Sequence, residues 1–502
     1  MPLEPVAIWF KLLGQNSQQI DTLKQGTDGA ELSQASNVIP DPSFLGAVVT
    51  SPGFSKVRST AISGSPPITF LQHGGDLADI FVIGNGGTGD IAFDTADPPV
   101  DNTSGTNFST GANVLLRADF HESLMIICSN ARDLPQTVNA SSVRADLGGT
   151  PPRGIDYKVF GRRGIMFSPL YAGTTYRGLA SYNSAKDDHD AWTAPVTTNF
   201  INFGKMEADA TALGGEYFQD HLMAFTEKSV YPIYQTEYAD QPLAFQQAVF
   251  SEKGGGPPNI HAVVSANDRL YWPSRNFDIK MMLPDRSVRS IGYPIQPFLR
   301  GLNDSRRVYT IGGFEPQYRM VWWAVSDGSD TQNNDCVGIN IDTNQFYFRT
   351  ISRNAFANRL VSGELRLIGG GYAGLFYNEW DTSATGDQDD STSAIDADVM
   401  TARHHLGYPG LRKRVQYLAV EFDPIGSEAV TVQYQLNDEQ SWTSFAASPL
   451  TLSGTDSIVK YFGIPKAFIK IRIRFRDVNS GQRFRVLRFG FPKPSYVYTT
   501  RG

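Results

Sequence analysis

Apolar and polar residues alternate along most of this chain in runs of four to seven, and one phrase keeps returning. A polar or charged residue precedes a large apolar residue that opens a short strand. The phrase reads GDLADIFVIG around Leu77, HESLMIICS at Leu124, RRGIMFSPL at Ile165, QDHLMAFTE at Leu222, NDRLYWPS at Leu270, QYRMVWWAV at Met320 and ELRLIGGG at Leu367. The steps between these anchors are 47, 41, 57, 48, 50 and 47 residues. A period near ~50 with several short strands in each unit is the mark of a β-propeller. The clearest unit begins at LMAFTEKSVYPIYQ, with a strand over 222–226, a polar turn at Glu227-Lys228, and a strand over 229–234. In that last strand Val230, Pro232 and Tyr234 alternate with Tyr231 and Ile233. HAVVSANDRLYWPSRNFDIKMML repeats the theme around a tight Asn267-Asp268 turn. Such meanders predict one four-stranded blade per period.

The pattern divides the chain in three. Residues 1–60 read as a polar N-terminal arm that crosses blades before the ring starts. Residues 61–408 read as a propeller of about six or seven blades, and 409–502 as an appended C-terminal β-sandwich. In that last part VQYLAVEFDP, EAVTVQYQLND, KAFIKIRIRFRD and QRFRVLRFGFP are longer strands with strict alternation. The polar, acidic segment DTSATGDQDDSTSAIDADVMTARHHL (381–406) reads as a surface excursion between the two. The fold class expected is all-β.

Composition supports this. Of 502 residues, 47 are Gly and 29 are Pro, which suits many turns, and 41% hydrophobic residues suffice for real cores. No segment has the features of a secretory signal or a membrane span. Cys128 and Cys336 lie far apart and read as two small buried hydrophobes, not as a disulfide or metal pair. Charge is unevenly placed. Residues 411–502 hold 14 Lys+Arg against 7 Asp+Glu, while the remaining 410 residues hold 30 basic and 44 acidic ones. An acidic body with a basic terminal domain predicts two surfaces with different partners.

Chemistry is sparse. No nucleophile elbow, zinc-protease helix, phosphate-binding loop or Cys-x-x-Cys is present, so no enzyme activity, cofactor or metal is expected. His404-His405 reads as part of an exposed loop, and Asp327, Asp330 and Asp335 as a solvated turn. LNDEQSW, with Asp438 and Trp442, only distantly echoes the Asp-box turn of sugar-cleaving propellers, because it lacks the glycine and lies in the terminal domain. The most distinctive pattern is IKIRIRFRD followed by QRFRVLRF. Ile469, Ile471, Ile473 and Phe475 face one way, and Lys470, Arg472, Arg474 and Arg476 the other. Arg483 and Arg485 return beside them. A row of like charges across paired strands opposes itself. It reads either as a solvated face or as a docking face for an acidic partner protein, with nucleic acid the least favoured partner because no aromatics interleave on that side.

The phrases DGAELSQASNVI…SPGF, HLMAFTEKSVYPI, SYNSAKDDHDAWTAP (181–195), NDRLYWPS with RSIGYPIQPFL, and VTVQYQLNDEQSWTSF…IRIRFRD together resemble tail hub proteins of short-tailed bacteriophages, also called packaged-DNA stabilisation or tail-nozzle proteins. The resemblance spans most of the chain as loosely spaced phrases. It implies a non-enzymatic virion protein, made in the host cytoplasm, that forms a homo-oligomeric ring of six subunits below portal and adaptor. Such a ring retains packaged DNA and conducts it outward without sequence-specific binding. Two competing readings are a carbohydrate-binding or carbohydrate-cleaving propeller acting on host surface glycans, and a cellular propeller scaffold that binds proteins on its top face.

Overall fold

The computed structural model of the protein describes residues 6–15, 21–22, 29–41, 47–73, 81–102, 104–361, 363–379, 396–406, 410–423, 428–452, 457–477 and 484–497. Among these the chain is all-β, with one short helix at Gln296–Gly301 and a few 3₁₀ turns. Seven antiparallel blades built on four strands follow one another over 68–102, 116–146, 156–202, 212–251, 264–290, 311–349 and 355–378; the fourth adds a fifth short strand at Phe250–Ser251, the sixth is continuous with the terminal sheet, and the seventh takes its fourth strand from elsewhere in the chain. The recurring phrase marks the second strand of its blade. Leu124, Ile165, Leu222, Leu270, Met320 and Leu367 all lie in such strands, while Leu77 falls outside the described residues. The long 57-residue step belongs to the third blade. That blade inserts a small hairpin (Leu170–Tyr171 with Thr174–Thr175) and a loop over 183–199. The Asn267-Asp268 turn holds both residues at positive φ, 46° and 54°, as a two-residue hairpin requires.

Alternation within each second strand explains how the ring packs. Leu270 and Trp272 reach back to Phe225 and Met223 of the fourth blade, while Tyr271 reaches forward to Val321 and Trp323 of the sixth. Separate apolar clusters of this kind lie between successive blades. Cys128 and Cys336 are free and buried within them, as their sequence context predicts.

The ring is closed by the N-terminal chain. The seventh blade contributes Ala355–Val361, Glu364–Gly370 and Phe376–Asn378, and its fourth strand is Ser55–Lys56, paired as Tyr377↔Lys56 and Asn378↔Ser55. Among the described residues, the rest of the arm meets the propeller at the outer strand of the sixth blade, Phe346–Arg349, through Gln15↔Phe346 and Ser36↔Phe348, and otherwise joins the terminal domain. Val6–Gln15 pairs antiparallel with Arg485–Pro492 and parallel with Gly29–Ser36, which pairs with Ala397–Thr401. These strands are part of the terminal sandwich. Its strand order is Ile458–Gly463, Tyr417–Phe422, Arg485–Pro492, Val6–Gln15, Gly29–Ser36, Ala397–Thr401, Ile471–Asp477, Glu428–Leu436. The expected boundaries therefore shift. The blades run from 55 to 378, and the sandwich combines 6–50 with 397–497. The propeller is thus inserted between strands of the sandwich. The reason is physical: GAELSQAS and ADVMT become strands by pairing with segments hundreds of residues away, and neither shows a strong alternation of its own.

Candidate functional site: channel ion network and terminal arginine strand

The first strand of each blade faces the axis of the ring. There a cavity of about 320 Å³ is lined by Arg117, Asp119, Lys158, Glu216, His261 and Asn354, among others. The charged residues come from LRADFH, DYKVF and GGEYF, the inner strands of blades two, three and four. Arg117 is the hub. Its Nε lies 3.3 Å from Asp156 Oδ1, its Nη2 donates to Glu216 Oε2 at 2.6 Å, and its Nη1 donates to the Ile260 carbonyl at 2.7 Å. Lys158 Nζ stands 3.6 Å from the same Glu216 oxygen and 5.0 Å from the centre of the Tyr217 ring. Asp156 also accepts the Gly215 amide at 2.8 Å. Position 214 must be glycine: its φ is +144°, and a Cβ there would sit 2.5 Å from Asp156 Oδ2 and 2.6 Å from Ile260 Cγ1. Asp119 accepts the Val159 amide at 2.7 Å and the Tyr217 hydroxyl.

Burial and charge pull these groups in different directions. Burial raises the Asp156 carboxyl above its usual range despite Arg117. Burial also works against the Glu216 carboxylate, but Lys158 and Arg117 outweigh it and the net shift is downward. Burial, helped by Arg117 and Lys158, holds His261 well below the ordinary imidazole value. The arrangement is an interlocked network in which Arg117, Asp156, Lys158 and Glu216 pair across blades and Asp119 is held by an amide and a hydroxyl, and it ties blades two, three and four together around the axis. No group of three His, Cys, Asp or Glu among the described residues is arranged to hold a metal ion. Sequence reading missed this network. The available signal was a pair of charged residues, or one, in the strands just before the anchors at Leu124, Ile165 and Leu222.

The terminal arginine strand is placed differently from its expectation as an open docking face. Lys470 pairs with Asp438 at 2.9 Å. Arg472 donates to the Thr401 carbonyl at 2.9 Å and to Ser33. Arg474 makes a two-pronged pair with Asp398 at 2.8 and 2.6 Å, and Arg476 reaches Asp396 at 3.3 Å. Arg485 pairs with Asp423 at 2.6 Å and with Asp41. Trp442 lies against both Arg472 and Arg474, at 5.5 and 5.6 Å. Arg483 lies outside the described residues. The row is covered by the chain's own strand Ala397–Thr401, so the counter-charges Asp396 and Asp398 come from the segment expected to be a surface excursion. Residues 380–395 of that segment lie outside the described residues.

This changes the expected behaviour of the strand. Replacing Arg472, Arg474 and Arg476 together by Ser should destabilise the sandwich by about 2–4 kcal/mol, because charge-assisted hydrogen bonds at part-buried sites are lost, while the more exposed Arg476 adds little. Urea unfolding checks this. Wild-type stability in the triple variant would restore the open-face reading.

Two other expectations are corrected. His404 and His405 are buried, at 1% and 7% exposure, not on an exposed loop. His404 packs 4.7 Å from the Phe10 ring in a strand paired at Ile471, and burial, with His405 beside it, lowers its pKa to about 3. The turn at Asp327, Asp330 and Asp335 is not wholly solvated: Asp335 opens the third strand of the sixth blade, and burial with its two acidic neighbours raises it to about 6.

One buried acid predicts a pH dependence. Glu315 is fully buried at the end of an inner strand and accepts the Gln317 and Leu367 amides at 3.0 and 3.2 Å. Burial raises its pKa from 4.5 to about 7. Between these values the folded state holds a proton that the unfolded chain releases, so this group lowers stability as pH rises from 4.5 to 7, by up to about 1.4 kcal/mol per pH unit. Glu315→Gln should therefore melt higher than wild type at pH 8 and about equal to it at pH 5. Parallel melting curves across that range would contradict this.

No family model matches the chain, and no curated protein matches it. Among solved structures, the streptogramin B lyase structure matches with a TM-score of 0.40 at 10% identity, over 63% of this chain and 95% of that one. BBS1N in complex with ARL6DN matches with 0.41 at 11%, over 66% and 99%. The extracellular domain of a hybrid two-component system from B. thetaiotaomicron matches with 0.41 at 9%, over 88% and 62%. The propeller is read from the pairing of the chain's own strands. No helix among the described residues is long and apolar enough to cross a membrane.

Proposed function

We propose that this protein is a structural component of a short-tailed bacteriophage tail, a non-catalytic subunit of a ring below the portal and adaptor that retains packaged DNA and conducts it at infection. The sequence phrases that resemble tail hub proteins motivate the reading, and the observation that carries it is the state of the channel. Its charges are consumed by partners from adjacent blades, and its cavity of about 320 Å³ has room for a small molecule at most. A duplex, whose major groove alone is about 12 Å wide, does not pass through it. DNA must then run between subunits, with each propeller a rigid block in the wall. An acidic body suits that wall, since phosphate contacts depend on Lys and Arg.

The glycan reading draws on the same cavity, but its carboxylates Asp119 and Glu216 are already held by Val159, Tyr217 and Arg117. Mass measurement of the purified chain, alone and with portal or adaptor, separates the two. Closed rings support the tail reading. A monomer that binds or cleaves surface glycans overturns it.

A further inference from the structure

The surplus positive charge of the terminal domain lies away from the arginine strand. Arg412–Arg414 forms a ribbon with Ser495–Val497, paired as Arg412↔Val497 and Arg414↔Ser495, and Lys413 bridges to Phe468 on its other side. Lys413 is buried and anchors the ribbon through bonds from Nζ to the Leu411 and Ile469 carbonyls at 2.8 and 3.1 Å. Arg412 and Arg414 point outward and are exposed. Lys466 and Lys493 are exposed on the two flanking segments. Among the described residues, none of these four cations forms an ion pair, in contrast to Lys470, Arg472, Arg474, Arg476 and Arg485. Four exposed like charges on one small sheet and its flanking segments are stabilised when an anionic surface covers them.

The complementary feature is on the propeller. The loop joining Ser229–Gln235 to Leu243–Phe245, in the outer part of the fourth blade, carries Glu237, Tyr238 and Asp240, all exposed. Neither acid forms an ion pair among the described residues. Tyr238, at 76%, is the most exposed of the large apolar side chains described. The loop is preordered: Thr236 Oγ1 accepts the Tyr238 amide at 3.2 Å and donates to the Gln241 carbonyl. A preordered acidic knob with an aromatic at its tip is a good ligand for an arginine-rich ribbon, through ion pairs and ring stacking.

We propose that the ribbon of Arg412, Arg414, Lys466 and Lys493 docks the Glu237–Asp240 knob of a second copy of this chain. The two surfaces are different patches, so the contact is head-to-tail, the kind that closes a ring when its rotation permits. This rests on the ring reading above and names the contact that would build the ring.

The test is sedimentation velocity on the full chain at about 0.05 and 0.5 M salt, where screening lengths differ several-fold. Wild type is compared with a ribbon reversal (R412E, R414E, K466E, K493E), a knob reversal (E237K, D240K) and their combination. Wild type should assemble at low salt and lose at least tenfold in affinity at high salt. Each reversal should cost at least tenfold, and the combination should recover to within a few-fold of wild type. Melting temperatures establish that each variant folds, and Ser replacements at the same positions stand in for any reversal that does not. Assembly unaffected by both reversals, or reversals that the combination fails to rescue, overturns this contact and leaves the ring reading intact. A wild type that stays monomeric under all conditions, with or without portal or adaptor, overturns the ring reading itself. Loss of DNA-oligomer binding on ribbon reversal, with assembly unchanged, would assign the ribbon to nucleic acid and overturn the proposal.

Discussion

Glu379→Gln should lower the melting temperature of the propeller by roughly 6–20 °C, by breaking a buried charge cluster. Glu379 is fully buried, and its carboxylate meets both Arg349, at 3.3 Å, and Arg353, which are 2% and 4% exposed. The Arg353 guanidinium is also held between the rings of Phe54 and Tyr377, at 4.6 and 4.5 Å. Phe54 directly precedes Ser55–Lys56, the strand that closes the ring, and Val57 continues the closure by donating to the Phe376 carbonyl at 3.0 Å. Glutamine keeps the shape and removes the charge, leaving two arginines buried without their counter-ion. Breaking a buried pair in this way costs about 3–5 kcal/mol, and each kcal/mol is worth about 2–4 °C in a domain of a few hundred residues. Calorimetry reads the melting temperature. Hydrogen exchange gives a local check, because the Val57 amide should exchange much faster in the variant. An unchanged transition together with wild-type protection at Val57 would show that the triad does not hold the closure.

Arg117→Met should cost about 3–5 kcal/mol for the same reason, with a distinct pH signature. It leaves Asp156 and Glu216 facing each other's charge with only Lys158 to compensate. Both carboxyls would then titrate higher in the folded state than in the unfolded chain. A raised acid stabilises the folded form at low pH and loses that contribution as pH rises. The deficit of the variant should therefore be larger at pH 8 than at pH 5, as denaturant unfolding at the two values would show. An equal deficit at both would mean that Arg117 contributes packing through its aliphatic stem and little electrostatic cohesion.

Much of the propeller was legible along the chain. The phrase that recurs at Leu124, Ile165, Leu222, Leu270, Met320 and Leu367 marks second strands, because those strands are largely buried on both faces between neighbouring blades and carry apolar residues at most positions. Local rules suffice there: most blades are meanders in which each strand pairs with the next one along the chain, joined by turns such as Asn267-Asp268. The buried state of Cys128 and Cys336 followed from the same context. The alternation of Ile471, Ile473 and Phe475 likewise showed which side of the terminal strand is core.

What the tertiary structure alone decided is everything that depends on partners distant in sequence. Ser55–Lys56 closes the ring three hundred residues from the blade it completes, and Val6–Gln15 joins a sheet with Arg485–Pro492. Neither pairing leaves a local mark, because backbone hydrogen bonds carry no sequence signature. Charge followed the same rule. Arg472 and Arg474 read as an open row until Ser33 arrived from the N-terminal arm and Asp398 from the segment after the last blade to cover them. Arg412 and Arg414 looked no different in sequence and form no ion pair among the described residues. A charged side chain's role is set by which opposite charge the fold brings within about 4 Å, and that is a property of the tertiary structure.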